Sequence, residues 1–264
     1  MDIVTLAIIY LSLGAVAGLT AGLFGIGGGV VIVPALLLTF PFLGVDEAVM
    51  THLAIGTSLA TILITSVSSI QAHHKKGAVR WPVVWRITPG IIVGALFGAQ
   101  IAGSLDGETL RKAFGIFLLI IAFKMGIGLK PKATRDLPTT PGLVFSGGVI
   151  GGISALFGIG GGSLTVPFLS WCRVAMAEAV ASAAAVGFPI ALAGAFGYFY
   201  TGLNAENLPD MATGYIYWPA FVGIVIASAP CAKVGAFIAH KLPARKLQIG
   251  FAILLGVIGL KFLL

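Results

Sequence analysis

The chain has 264 residues, of which 58% are hydrophobic and only 9% are charged, with a net charge of +7 and a mean hydropathy of +1.06. A soluble domain carries about a quarter charged residues, so this composition excludes an ordinary soluble protein. It indicates a multi-spanning membrane protein in contact with lipid, with its basic residues in loops beside the membrane. We expect no nucleic-acid partner, because no basic stripe with interleaved aromatic residues occurs in the sequence.

Apolar stretches follow one another along the chain, and most reach the roughly 20 residues that a helix needs to cross the hydrocarbon core. The first, 3–24, has no basic segment before it, and its sequence motif recurs in mid-chain, so we do not expect a cleaved signal peptide. Two others are only half as long as a span. In chain order the stretches are 3–24, 30–40, 47–71, 81–102, 109–129, 141–157, 163–172, 176–200, 214–239 and 244–264.

An internal repeat is the strongest signal in the sequence. The run Leu-Phe-Gly-Ile-Gly-Gly-Gly occurs at 23–29 and again at 156–162, and each copy is followed five residues later by a proline. The strings Glu-Ala-Val and Trp-Pro then recur in the same order in both halves. The chain is therefore predicted to consist of two copies of one unit, 1–130 and 138–264, which together form one membrane domain.

Loop charge predicts how the two copies are oriented. The loop 72–80 contains three Lys or Arg residues, whereas the equivalent loop 201–213 contains Glu206 and Asp210 and no basic residue. Because basic loops stay in the cytoplasm, equivalent loops of opposite charge indicate that the copies are inverted. Each copy is then a glycine-broken helical hairpin, 3–40 or 141–172, plus three transmembrane helices. The predicted fold is all-α, and both termini are expected outside.

The two glycine runs are candidate binding elements. Four glycines in five residues disfavour a helix, since Gly costs about 1 kcal/mol relative to Ala, and a break within the membrane is tolerated only inside protein or beside water. A short helix follows each run, and its unpaired N–H groups suit an anion. Close helix packing is the alternative reading of the glycines. The predicted contact residues are Phe24, Gly25, Gly27, Gly28 and Gly29 at the first bend, and Ser154, Phe157, Gly158, Gly160, Gly161, Gly162 and Ser163 at the second.

The two halves are not expected to offer identical contacts. Ser154, Ser163 and Thr165 flank the second bend, whereas small or apolar residues stand at the equivalent positions of the first. In the stretch 47–71, hydroxyl-bearing residues recur every three or four positions, and Thr57 and Ser58 lie in mid-span, where they are candidates to donate to an oxyanion. We expect the second bend to supply more side-chain hydrogen bonds.

Ionisable residues in the spans are few. Both hairpin segments lack Asp, Glu, Lys and Arg, so the site is expected to consist of backbone N–H groups, hydroxyls and helix dipoles. His52 lies one turn inside its helix, where a proton or gating role is a second hypothesis. No nucleophile–base pair, His-Glu-x-x-His string or metal-ligand cluster is present, so we expect neither an enzyme, nor a metal, nor a cofactor.

The paired Phe-Gly-Ile-Gly-Gly-Gly…Pro motifs, on two halves of this length, resemble those of the TauE/SafE sulfite exporter family. The resemblance implies transport of small sulfur-containing anions, such as sulfite or sulfoacetate-like organosulfonates, across the bacterial inner (plasma) membrane. Alternating access around the two bends is the expected mechanism. A passive anion channel of the same architecture, and a transporter for another small organic anion, remain alternatives. The oligomeric state is left open.

Overall fold

The computed structural model describes residues 3–24, 28–128, 135–239 and 244–264, and within these ranges the chain is predominantly helical. A 3-10 turn, Phe40–Leu43, follows the second helix, and a short antiparallel hairpin of β1 (Ala212–Thr213) and β2 (Ile216–Tyr217) precedes the ninth. The helices are α1 (Ile3–Phe24), α2 (Gly29–Thr39), α3 (Glu47–Lys75), α4 (Trp81–Ser104), α5 (Gly107–Ile127), α6 (Thr140–Leu156), α7 (Gly162–Trp171), α8 (Met176–Thr201), α9 (Trp218–Ala239) and α10 (Ala244–Leu263).

Each predicted apolar stretch corresponds to one helix, and the ends agree within a few residues in most cases. The stretch 214–239 is the exception, because its first residues form the turn and second strand of the hairpin. Gly214 has a φ of +56°, a left-handed conformation that does not continue into a helix. The helix begins at Trp218, and Pro219 occupies the first turn, where a missing N–H costs nothing.

The helices are suited to a lipid environment. Among the described helices, α1, α3, α4 and α8 contain segments long and apolar enough to cross a membrane. Large apolar side chains cover the outer surface, as with Phe97, Phe123 and Phe145, which are 66 to 75% exposed. A surface of this kind is stable only against lipid or a partner, so the chain is a multi-pass membrane protein.

Glycines bring α4 and α6 into close contact. Gly90, Gly94 and Gly98 lie four residues apart on one face of α4, and a Cβ at any of them would overlap the backbone of α6 between Val144 and Gly152. The contacts advance in the same direction along both helices, so the pair is parallel. The helices α1 and α9 pack in parallel in the same way, with Gly14 and Gly18 against the backbone of α9.

Two further pairs are antiparallel. A Cβ at Gly56 of α3 would lie near Tyr198 of α8, and one at Gly194 of α8 would lie near Leu59 of α3. The helices α5 and α10 also pack together: Gly115 of α5 contacts Gly259 of α10, and Ala122, further along α5, lies near Gly256, earlier in α10. In the sequence repeat, α3 is equivalent to α8 and α5 to α10.

The two ends of the bundle differ in charge. At one end, Arg80 pairs with Glu178 at 2.9 Å and Arg173 with Asp136 at 3.0 Å. The basic run 73–76, at the end of α3, lies at the same end. At the opposite end, Thr51 donates to the carbonyl of Gly107 at 2.8 Å. The connections there contain the acidic residues Asp46, Asp106, Glu206 and Asp210.

Candidate functional site

The second glycine run interrupts the helical hairpin as predicted. The helix α6 ends at Leu156, and α7 begins at Gly162. Between them Gly158 adopts a φ of +66°, and the N–H of Ile159 turns back to the carbonyl of Ser154 at 2.8 Å. A Cβ at Gly158 would lie about 3 Å from Ile55 of α3 and from Val33 of α2, so this position has neither the conformation nor the space for a larger residue.

The start of α2 meets the second bend beside α3. Gly29, the first residue of α2, lies so close to the second bend that a Cβ on it would overlap the carbonyl oxygen of Gly158 and lie 3.0 Å from the Cα of Ile159. The hydroxyl of Ser58 donates to the same Gly158 carbonyl at 2.9 Å. The contact with Ser58 is near the middle of α3. The start of α2, the second bend and a polar side chain are therefore brought together inside the bundle.

Three hydroxyl groups around the second bend have no hydrogen-bond partner. The described part of the chain contains eleven buried Ser and Thr residues, and eight of them make a hydrogen bond. The other three are Ser154, Ser163 and Thr165, which are 0, 9 and 0% exposed. Buried hydroxyls are nearly always paired, so the clustering of all three at one bend indicates a site that is completed by a polar ligand or water.

Backbone donors at the same bend are also unpaired. Among the described residues, the N–H groups of Gly160 and Gly161 make no hydrogen bond, as expected just before and at the start of a helix. Along α7, the first N–H that makes a backbone hydrogen bond is that of Thr165, which donates to the carbonyl of Gly161 at 2.9 Å. The first bend resembles this arrangement, since α2 also begins on a glycine cap, Gly28, that has no side-chain bond. Two helix N-termini, each with a partial positive charge, therefore lie near each other.

The first bend offers fewer polar side chains. Val30 and Ile32, which take the places of Ser163 and Thr165 in the repeat, are buried in the apolar core. Gly25 and Gly27 lie outside the described residues, and Phe24 is the last residue of α1, with a side chain that is not described. The hydroxyl set of the site therefore comes from the second half of the chain.

The predicted residues on α3 make specific contacts. The hydroxyl oxygen of Thr57 accepts the N–H of Tyr217 at 2.9 Å, which ties α3 to the end of the β-hairpin. Ser58 uses its single proton on Gly158, so in this conformation it holds the bend. Further along α3, Thr61 and Thr65 bond to the backbone of their own helix.

His52 lies toward the acidic end of α3. Its Nε2 atom is 2.9 Å from the carbonyl oxygen of Ala102, and since a carbonyl only accepts, Nε2 is the donor. Its ring stacks on that of Tyr215, with centroids 4.9 Å apart, and its Nδ1 has no partner among the described residues. His52 thus joins α3, α4 and the hairpin, about two turns away from Ser58.

The hairpin itself was not predicted from the sequence. Tyr215, Ile216 and Tyr217 are buried, and the carbonyl of Tyr215 lies against Gly56 of α3. The string Gly-Tyr-Ile-Tyr is apolar, so the sequence pattern predicts the start of a span there. The one available signal was Gly214 immediately before it, after a loop with two acidic residues.

Phe157 contributes an apolar wall next to the second bend. Its ring stacks on Phe117 of α5, with centroids 4.7 Å apart, and lies 6.0 Å from Phe114. A separate groove of about 640 Å³ lies between α4 and α6, lined by glycines and apolar side chains such as Phe97 and Phe145. None of the three unpaired hydroxyls lines that groove, which faces the lipid and is not the candidate site.

The comparisons with known proteins identify a family and several relatives. The sulfite exporter TauE/SafE family matches residues 10–262. A probable membrane transporter protein of Haemophilus influenzae is 38% identical over 98% of this chain and 99% of its own length. Similar proteins with the same description occur in Methanocaldococcus jannaschii (34% identical, over 95% of this chain and 93% of its own) and in Bacillus subtilis (28%, over 96% and 95%). No solved structure matches the chain. With almost its whole length matched, the chain belongs to the sulfite exporter TauE/SafE family.

Proposed function

We propose that this protein is a secondary transporter that exports small sulfur-containing anions, such as sulfite or organosulfonates, by alternating access around the two glycine bends. The observation that carries the proposal is the cluster of buried, unpaired donors at the second bend: the hydroxyls of Ser154, Ser163 and Thr165 and the N–H groups of Gly160 and Gly161. Such donors suit the oxygens of an oxyanion. The family match and the relatives described as membrane transporters support a transport role rather than an enzymatic one.

The proposed mechanism requires inverted repeats, and the helix packing supports them. Equivalent helices α3 and α8 are antiparallel, and so are α5 and α10. The helices α1 and α9 are parallel to each other, as are α6 and α4, so each hairpin packs on the fourth helix of the other half. Repeats of this kind, with broken helices near the centre, are a recurring transporter design.

The electrostatics of the membrane support export. An anion that leaves a negative-inside cytoplasm gains about 2.3 kcal/mol per charge for each 100 mV. Uptake against this potential would require a coupled cation. Among the described side chains no Asp or Glu is buried, so none of them supplies an obvious intramembrane coupling carboxylate.

Loop charge supports placing the Arg80–Glu178 end in the cytoplasm and both termini outside. Single cysteines in the 72–80 loop and in the 202–211 loop, in a chain without Cys172 and Cys231, test this. A membrane-impermeant thiol reagent on intact cells is expected to label the 202–211 loop and to label the 72–80 loop only after lysis. Labelling of both loops in intact cells would refute the inverted arrangement.

We further propose that the hairpin is the gate at the acidic end, closed in this structure. The Tyr217 contact lies ten residues beyond the first residue of α3, Glu47, whereas at the basic end the N–H of Arg80 reaches Ser182, only four residues beyond the equivalent Glu178. At 1.5 Å per residue the hairpin penetrates about 9 Å deeper. This asymmetry supports a conformation that is closed toward the acidic end.

Replacing Thr57 by valine is expected to loosen this gate. The substitution preserves the shape of the side chain but leaves the buried Tyr217 N–H unpaired, at a cost of about 1 to 3 kcal/mol. A cysteine at position 163 should then react about tenfold faster with a reagent added from the hairpin side. Thr61→Val is the matched control, because Thr61 bonds only its own helix. Equal reactivity in the two variants would exclude the gate.

The transport reaction itself is tested with purified protein in liposomes. Vesicles loaded with unlabelled sulfite are expected to accumulate labelled sulfite transiently from outside, because a carrier exchanges the two faster than the gradient dissipates. The flux should saturate with sulfite concentration. Single-channel currents without counter-flow would instead identify a passive channel, and absence of any flux would contradict the proposal.

A further inference from the structure

We propose that the anion bound at the second bend carries a single negative charge, so that the protein transports hydrogen sulfite and monosulfonates and discriminates against divalent anions. This inference rests on the proposed function and narrows its substrate class. The unpaired hydroxyls indicate an oxyanion but do not determine its charge. The charge is inferred from the groups that surround the site.

The site has no full positive charge among its described side chains. Among the described residues no Asp, Glu, Lys or Arg side chain is fully buried, and His52, their one buried histidine, is held at the acidic end by Ala102. Arg80 and Arg173 are half exposed and paired with carboxylates at the basic end. The donors at the bend are hydroxyls and backbone N–H groups, which are neutral.

The positive potential at the site comes instead from two helix ends. The helix α7 begins at Gly162, and α2 begins at Gly29, which touches Gly158 and Ile159 just before α7. Each helix N-terminus is equivalent to about half a positive elementary charge. Two converging N-termini therefore balance about one negative charge, and a divalent anion would leave one charge uncompensated in a buried site.

The burial of the second bend also disfavours a divalent anion. Gly158 to Gly161 are buried, and the carbonyl of Gly158 points to Ser58 rather than to a bound ion. Water is therefore poorly placed to stabilise a second charge. Because removing the second charge from water costs more than the two helix ends repay, we expect a divalent anion to bind about 100-fold more weakly.

The prediction separates candidate substrates by charge. Hydrogen sulfite, thiosulfate and methanesulfonate are all small sulfur oxyanions, but at neutral pH thiosulfate is divalent and methanesulfonate is monovalent. Sulfoacetate carries both a carboxylate and a sulfonate, so it falls into the disfavoured class. The shape of the anion is the same in hydrogen sulfite and sulfite apart from one proton, which makes this pair the sharpest probe of charge.

The experiment measures sulfite flux into proteoliposomes as external pH rises through the second ionisation of sulfurous acid. At subsaturating total sulfite, flux is expected to fall by about tenfold for each pH unit above that ionisation, as the monovalent form disappears. Methanesulfonate, whose charge does not change in this range, is the internal control, and its flux should stay constant. Because the second charge of sulfate must be desolvated, sulfate should compete with methanesulfonate about 100-fold less well than hydrogen sulfite does.

Two results would overturn the inference while leaving the proposed function intact: sulfite flux that is constant or rises with pH while methanesulfonate flux is constant, or equal competition by sulfate and hydrogen sulfite. Absence of flux and of competition with every anion would overturn the proposed function, and this inference with it. A fall in both sulfite and methanesulfonate flux with pH would assign the effect to titration of the protein and would also overturn the inference.

Discussion

Alanine in place of Gly29 is expected to abolish anion flux, whereas alanine in place of its neighbour Gly28 should leave most of it. A Cβ at position 29 would overlap the Gly158 carbonyl and lie 3.0 Å from the Cα of Ile159, and backbone atoms of a second bend cannot move aside locally. The two bends would be forced apart and the donors at the second bend displaced. At position 28 the nearest atom is the flexible end of Ile32, at 3.1 Å.

The comparison of these two variants is well controlled. Both add one methyl group, at adjacent residues with similar access to the site. Gly28 has φ −67° and ψ −18°, so alanine is conformationally tolerated there. Flux should be measured in liposomes at equal amounts of folded protein, judged by a monodisperse elution profile. Equal flux in the two variants would mean that the contact between the bends is not required for transport.

Removing the unpaired hydroxyls is expected to weaken substrate binding without weakening the fold. In the double variant Ser163→Ala, Thr165→Val, two candidate hydrogen bonds to the anion disappear. Hydrogen bonds to charged groups contribute about 1.5 to 3 kcal/mol each, so KM for the anion should rise by at least about tenfold. The ligand-free protein should be unchanged or slightly more stable, because two buried hydroxyls without partners are removed.

A higher KM without a loss of stability would identify a binding role for the two hydroxyls, whereas a loss of stability at unchanged KM would identify a structural role. Ser66→Ala is a suitable control, since Ser66 is also a buried hydroxyl but bonds the carbonyl of Leu63 in its own helix. That variant should lose a little stability and keep its KM. If the double variant were destabilised and kept the original KM, the hydroxyls would belong to the packing of α7 rather than to the site.

The extent of the helices could be predicted from the sequence because each helix in the membrane corresponds to an apolar run, and polar or turn-forming residues mark the ends of that run. The break at the second bend was also predictable, since four glycines, each unfavourable in a helix, fall within five positions. Comparison of the two repeats even singled out Ser163, which has Val30 as its counterpart. Thr165 has Ile32 as its counterpart and was noted by the same comparison, although it was not among the predicted contact residues.

Contacts between distant residues could not be predicted in this way. The sequence predicts Ser58 as a donor to the substrate, but it does not reveal that the Ser58 hydroxyl also has a partner 100 residues away, the Gly158 carbonyl, whose position depends on tertiary packing. The insertion of Tyr217 beside Thr57 depends on the hairpin, whose apolar residues read as part of a span. Whether a buried hydroxyl is paired likewise depends on neighbours brought by the tertiary fold, so the unpaired state of Ser154 became visible only in the structure.

The most direct test of the central claim, that the second bend binds a small sulfur oxyanion, is thermal unfolding of the purified protein with and without anion. A ligand at about 100 times its Kd should stabilise the native protein by about 2.7 kcal/mol. We expect methanesulfonate or hydrogen sulfite to raise the Tm of the wild-type protein, chloride to have no such effect, and the shift to disappear in Ser163→Ala, Thr165→Val while persisting in Ser66→Ala. An equal shift in the wild-type protein and the double variant, or no shift with any sulfur oxyanion, would contradict the account.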